Sequence, residues 1–207
     1  MTTQKSGIST KVSAKFDDFL TFGDPTLERM KQEAVSFVTD LFCGCEPRWL
    51  SLLGKPGTGK TMLASRISRL FRNYRHGRID WPRSEATRTS ARPYGSIVRW
   101  HGGFINWGNA INQRMLQGDY GFLEDMRDYD FFAIDDIVQG TEKLRALWAS
   151  KLYDVFEARQ RKWTVITANY SLKQIAASLD TRLASRMIRH GGIVVDVDTT
   201  DFNLRKR

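Results

Sequence analysis

Apolar positions along the chain recur in two periods, and the alternation between them lays out the fold. In "DPTLERMKQEAVSFVTDLF" the residues Leu27, Met30, Ala34, Phe37, Val38 and Leu41 recur three or four apart, with Asp24 as cap and Pro25 in the first turn. That pattern predicts a helix with one buried face. "RWLSLLG" reads as a short buried strand, and past a glycine-rich loop a helix starting at Gly59 or Lys60 carries Met62, Leu63, Ile67, Leu70 and Phe71 on one side. "SIVRWH" is a strand candidate, with helices expected around 105–117, where Trp107 reads as core, and around 122–127. "YDFFAIDD" is the clearest buried strand, an apolar run ending in two acids. After Gly140 a helix to about Gln160 turns Leu144, Leu147, Trp148, Leu152, Val155 and Phe156 inward. "WTVITAN" is a further strand, "SLKQ" opens a helix with a capping box, Thr181 starts a short basic helix ending at Gly191, and "GIVVDV" closes the series.

Strands alternating with helices predict an α/β fold: a parallel central sheet in a three-layer α/β/α arrangement. With 207 residues, one domain is expected. Residues 1–15, rich in Ser, Thr and Lys, read as a disordered polar tail before a domain over 16–207. Periodicity lapses over 72–95, where Arg72, Arg75, Arg78, Arg83, Arg88 and Arg92 face only Asp80 and Glu85, so a basic irregular insertion is expected. With Trp81 and Tyr94 it offers cations for phosphates and rings for bases; a solvated loop fits it equally well.

Charge adds a partner class. A net charge of +9 favours a polyanion, because excess cations draw in phosphate backbones. The two cysteines, Cys43 and Cys45, make neither a disulfide framework nor a full zinc ligand set. No segment approaches the length of apolar chain that a membrane span needs, so a cytoplasmic protein with no membrane partner is expected.

The chemistry is written most clearly between the first strand and the helix after it. Gly54, Lys55, Pro56, Gly57, Thr58, Gly59, Lys60 and Thr61 fit G-x-x-x-x-G-K-[ST], with Met62 following. Glycines there let backbone N–H groups turn toward phosphate, Lys60 would reach the β- and γ-phosphates of ATP, and the Thr61 hydroxyl would ligate Mg²⁺. Asp135 at the end of "FFAIDD" would hold the metal, partly through water. Asp136 beside it could polarise a water for attack on the γ-phosphate, or simply cap the loop. Asn169, leaving "WTVITAN", could touch phosphate or water at a crevice lined by strand ends, or start a turn. In "TRLASRMIRHGG", Arg182 and Arg186 share a helix face, and Arg186 at a subunit edge could complete a neighbour's site.

Taken in order, "GKPGTGKT", "FFAIDD", "ITAN" and "TRLASRM" make the chain resemble an AAA+ ATPase of the DnaC/IstB group, the helicase loaders and transposition helpers. The resemblance implies a P-loop fold of AAA+ type without a separate helical lid. It implies ATP hydrolysis with Mg²⁺ at the interfaces of a homo-oligomer, slow without DNA or partner, with Asp136, Asn169 and Arg186 in catalytic roles and Arg205 as a sensor 2 candidate. It also implies DNA, single-stranded first, and a replicative helicase or transposase as partners. Two other readings stay open on the residues: a P-loop small-molecule kinase, and an ATP-gated DNA-binding scaffold with little turnover.

Overall fold

The computed structural model describes residues 2–75, 102–138, 142–189 and 191–199. The "SIVRWH" strand, the insertion beyond Arg75 with Trp81 and Tyr94, and Arg205 lie outside the described residues. The elements run α1 (Thr2–Ala14), α2 (Pro25–Phe42), β1 (Trp49–Gly54), α3 (Lys60–Arg75), β2 (Gly102–Asn106), α4 (Trp107–Gln113), α5 (Gly121–Asp128), β3 (Phe131–Asp135), α6 (Glu142–Ala158), β4 (Trp163–Thr167), α7 (Leu172–Ser178), α8 (Thr181–Ile188) and β5 (Ile193–Val197). The five strands form one sheet in the order β2-β3-β4-β1-β5, every pair parallel. Successive side chains of a strand point to opposite faces, which sorts the core into two layers. Leu50, Leu52, Phe131, Ala133, Val165 and Val195 pack under α1, α2 and α3. Leu53, Phe132, Ile134 and Ile166 pack under the helices from α4 to α8, where Trp107, Trp148, Ile175 and Leu183 are buried. This is the three-layer α/β/α arrangement with a parallel sheet.

The predicted face of α2 is buried at all six positions. Asp24 caps it, accepting from the N–H groups of Thr26 at 2.8 Å and Leu27 at 3.1 Å. The Thr199 and Thr26 hydroxyls also donate to that carboxylate and hold it down to about 2. The start of α2 is thereby tied to the residues just after β5. Ser171 and Gln174 form the expected capping box on α7.

Four expectations are corrected. The chain before residue 16 is not a disordered tail but helix α1, and Ile8 and Val12 on it, with Phe16 and Phe19 after it, are buried against α2 and α3. On α3, Leu63, Ile67, Leu70 and Phe71 face the core, but Met62 is 43% exposed, since it follows the loop on the outward side of the first turn. Residues 102–106, placed partly in a helix by the sequence pattern, form β2, and the helix begins only at Trp107, which is fully buried. The basic stretch from 72 also begins inside α3, which continues to Arg75. Among the described residues no helix is long and apolar enough to cross a membrane.

Candidate nucleotide site

The glycine-rich loop joins β1 to α3 at the C-terminal edge of the sheet, where parallel strands leave their ends open to a ligand. Two of its glycines are dictated by space. Gly54 has φ +107, and a Cβ there would stand 2.1 Å from the carbonyl oxygen of Val197. Gly59 has φ +94, and a Cβ would stand 2.7 Å from the Phe19 ring, so the segment between α1 and α2 passes directly beside the loop. The end of β5 closes the other flank: Lys55 N–H donates to Val197 O at 3.0 Å, and the Lys55 ammonium pairs with Asp198.

Lys60, only 5% exposed, turns its ammonium back into this loop and donates to Gly54 O at 2.9 Å, to Lys55 O, and to Thr58 Oγ1 at 3.3 Å. Burial pushes its amine down to about 8, against the pull of Asp136, Asp135 and Asp196. Burial likewise pushes the Asp196 carboxyl up. The loop thus holds a desolvated cation among carbonyl oxygens, in a cradle whose chemistry fits a polyphosphate.

Across the crevice, Asp135 at the end of β3 accepts from Thr61 Oγ1 at 2.8 Å, Thr167 Oγ1 at 2.7 Å and Asn106 Nδ2 at 3.2 Å. The two residues assigned to a divalent cation are therefore already in contact. Asp136 follows with φ +54, a left-handed backbone that Asp tolerates better than most residues. Its N–H donates to Thr167 Oγ1 at 2.9 Å, and Asn169 Nδ2 donates to its Oδ1 at 3.3 Å. One hydroxyl, that of Thr167, thus orients both acids. The structure brings together Gly54 to Thr61, Asp135, Asp136 and Asn169. Thr167 and Asn106 were missed, although both end buried or half-buried strands with a polar residue, the signal that singled out Asn169.

Arg186 lies elsewhere. Its guanidinium donates to Glu157 and, at 3.1 Å, to the Tyr153 hydroxyl, both on α6, and the side chain is 14% exposed. Glu157 sits at the end of α6 that leads into β4, so this cluster lies toward the opposite edge of the sheet from the glycine loop. Arg182, one turn earlier on α8, is 64% exposed, pairs with Asp180, and lies over the Tyr153 ring at 4.6 Å.

No family model and no curated protein matches this sequence. Solved structures do match in fold. The DnaI crystal structure superposes with a TM-score of 0.64 at 15% identity, covering 96% of this chain and 98% of that one. The DnaC helicase loader gives 0.55 at 18% identity over 87% of this chain and 95% of that one. AMPPCP-bound DnaA from Aquifex aeolicus gives 0.55 at 15% identity over 86% of this chain but 48% of that one, so the present chain spans about half of that relative. At such identities the likeness is one of fold: the P-loop three-layer α/β/α fold of AAA+ type.

Proposed function

We propose that this chain is an AAA+ ATPase of the DnaC/IstB kind, which binds ATP with Mg²⁺ and couples its hydrolysis to assembly on DNA and recruitment of a replication or transposition partner. The observation that carries the reading is the convergence of buried Lys60, the Thr61–Asp135 contact and the Asp136–Asn169 pair at one edge of a parallel sheet. In this reading the loop from Gly54 to Thr61 wraps the β-phosphate and Lys60 leaves its loop carbonyls for the γ-phosphate. A divalent cation held at Thr61 and Asp135 would neutralise charge on the phosphate oxygens. Asp136, held by Asn169, takes a proton from water, and Asn169 reports whether the γ-phosphate is present. Paired acids, the second held by the Asn169 amide, suit water as the acceptor better than a small-molecule hydroxyl.

DNA, single-stranded first, is supported by the net charge of +9, and the likeness to a helicase loader supports a helicase as the protein partner ahead of a transposase. A homo-oligomer in which a neighbour's arginine completes the site remains part of the proposal. In the conformation seen here, Arg182 is the more accessible of the two α8 guanidinium groups, its side chain 64% exposed against 14% for Arg186, which would have to leave Glu157 and Tyr153 to reach a second copy. The testing experiment is ATP turnover across protein concentration, with and without a single-stranded oligonucleotide. Turnover per copy should rise several-fold as copies assemble and rise again with DNA. A rate per copy independent of both would exclude the coupled, shared site.

Lys60 gives a pH test of the same site. Triphosphate stabilises its charged form, so binding takes up a proton wherever the free amine has lost one. Below pH 8 the lysine is charged with or without nucleotide and affinity is flat in this respect. Above pH 8 the ATP dissociation constant should rise, approaching tenfold per pH unit, until the pKa of the complex is passed. Titration calorimetry at pH 7, 8 and 9 reads this directly, and Lys60→Met should bind weakly with the dependence gone.

A further inference from the structure

The edge of the sheet opposite β5 carries a feature that the nucleotide site does not use. Among the described residues β2 pairs on one side only, with β3, so its other side presents backbone N–H and C=O groups without a strand partner. A cavity lies against each face of this strand, and the two share Gly103 and Phe104. On the α3 side the cavity is 240 Å³, lined by Ser65, Ser68 and Arg72 with the strand, and no acid borders it among the described residues. On the α4 and α5 side it is 380 Å³, with Ile105, Phe122, Tyr129 and Phe132 in its wall. Phe104, on the edge between them, is 38% exposed.

We infer that the β2 edge is a docking site for an extended peptide segment of a partner protein, which adds to the sheet as a sixth strand and carries an acidic residue next to an apolar one. Adjacent residues of an added strand project to opposite faces, so a single register fills both cavities. The acid meets Arg72 with two serine hydroxyls beside it, and its neighbour enters the apolar wall formed by Ile105, Phe122 and Phe132. Charge complementarity fixes the sign, since Arg72 is the charged group of the smaller cavity among the described residues. Nucleic acid fits less well. A phosphodiester strand has no alternating N–H and C=O ladder to satisfy the edge, and single-strand grooves track the backbone with a series of cations, where the described residues of this cavity supply one. The inference stands on the sheet edge alone and is independent of the ATPase reading.

The test pans a displayed library of random octapeptides against the full chain, with synthetic copies of the selected peptides measured by fluorescence anisotropy. Selected sequences should carry Asp or Glu beside an aliphatic or aromatic residue, bind with a dissociation constant on the order of micromolar, and slow hydrogen exchange across 102–106. Arg72→Glu, on an exposed position of α3, should keep the melting temperature and ATP turnover of the parent, weaken these peptides at least tenfold, and on fresh panning select Lys or Arg in place of the acid. Three results overturn the inference: no enriched peptide, selected peptides indifferent to Arg72→Glu, or loss of oligo-dT binding in that variant with no peptide selected, which would give the edge to nucleic acid. Failure of ATP turnover with peptide selection intact would count against the nucleotide reading and leave this one standing.

Discussion

Replacing Arg159 with alanine is expected to lower folding stability by about 3–5 kcal/mol, a large share of what a domain of this size possesses. The side chain is fully buried at the end of α6, yet the oxygens it meets are neutral. Its guanidinium donates to Thr164 Oγ1 at 3.0 Å, Met126 O at 2.6 Å, Tyr129 O at 2.9 Å and Trp163 O at 2.7 Å. Burial pushes the group down to about 9, with only Asp130 pulling the other way. One planar fork thereby satisfies the carbonyls that end α5 and open β4, while its own carbonyl accepts from Trp49 Nε1 at 3.2 Å. Alanine would leave three carbonyls without their donor beneath the Phe132 ring, which lies 5.6 Å from the guanidinium carbon. Arg159→Lys keeps the charge but not the fork, and should fall between the two. Urea melts at constant slope measure the effect. A loss under about 1 kcal/mol for Arg159→Ala would mean that water replaces the fork, and that the arginine is tolerated there rather than required.

Arg159 also marks where reading the sequence stopped. A cation three residues past Phe156, the last inward position of its helix, looks like an ordinary surface charge, because nothing in one chain's pattern reveals that the loops after α5 and α6 converge on it. The N-terminal helix was hidden for another reason. Ile8, Val12 and Phe16 recur every four residues, but the polar residues between them resemble a solvated tail, and only the face offered by α2 gives three apolar side chains enough to bury. β2 was displaced because two glycines open it: Cβ atoms at Gly102 and Gly103 would stand 2.4 Å from the rings of Phe71 and Phe132, so the strand is shaped by packing rather than by β-branched residues. The parallel sheet, by contrast, was legible, since "WLSLLG", "FFAID" and "WTVIT" are apolar on both faces and only a covered sheet tolerates that. At the site, the loop and Asp135 could be read directly because their spacing follows from the chemistry. Thr167 and Asn106 could not, since a Thr or Asn at a strand end becomes a ligand to Asp135 only through the strand order.

Substituting Asp136→Asn is expected to reduce ATP turnover by roughly 10²- to 10⁴-fold while leaving the ATP dissociation constant within about threefold. The exchange is chosen for what it preserves. Asparagine tolerates the left-handed backbone at φ +54, its N–H can still donate to Thr167, and its amide oxygen can still accept from Asn169. Only the carboxylate's capacity to take a proton is lost. Asp135→Asn is a different experiment. That acid accepts from Thr61, Thr167 and Asn106 together, so its loss should weaken Mg²⁺-dependent binding as well as turnover. Thr167→Val separates orientation from chemistry, because it keeps both acids but removes the hydroxyl that accepts from Asp136 and donates to Asp135. Its turnover should fall roughly tenfold, with binding retained, if placing the two carboxylates matters as the geometry implies. Equilibrium binding of a fluorescent nucleotide alongside single-turnover hydrolysis distinguishes the three variants. Turnover of Asp136→Asn within threefold of the parent would remove Asp136 from the proton transfer and return it to the role of a loop cap, leaving a nucleotide-binding scaffold as the better reading of the same crevice.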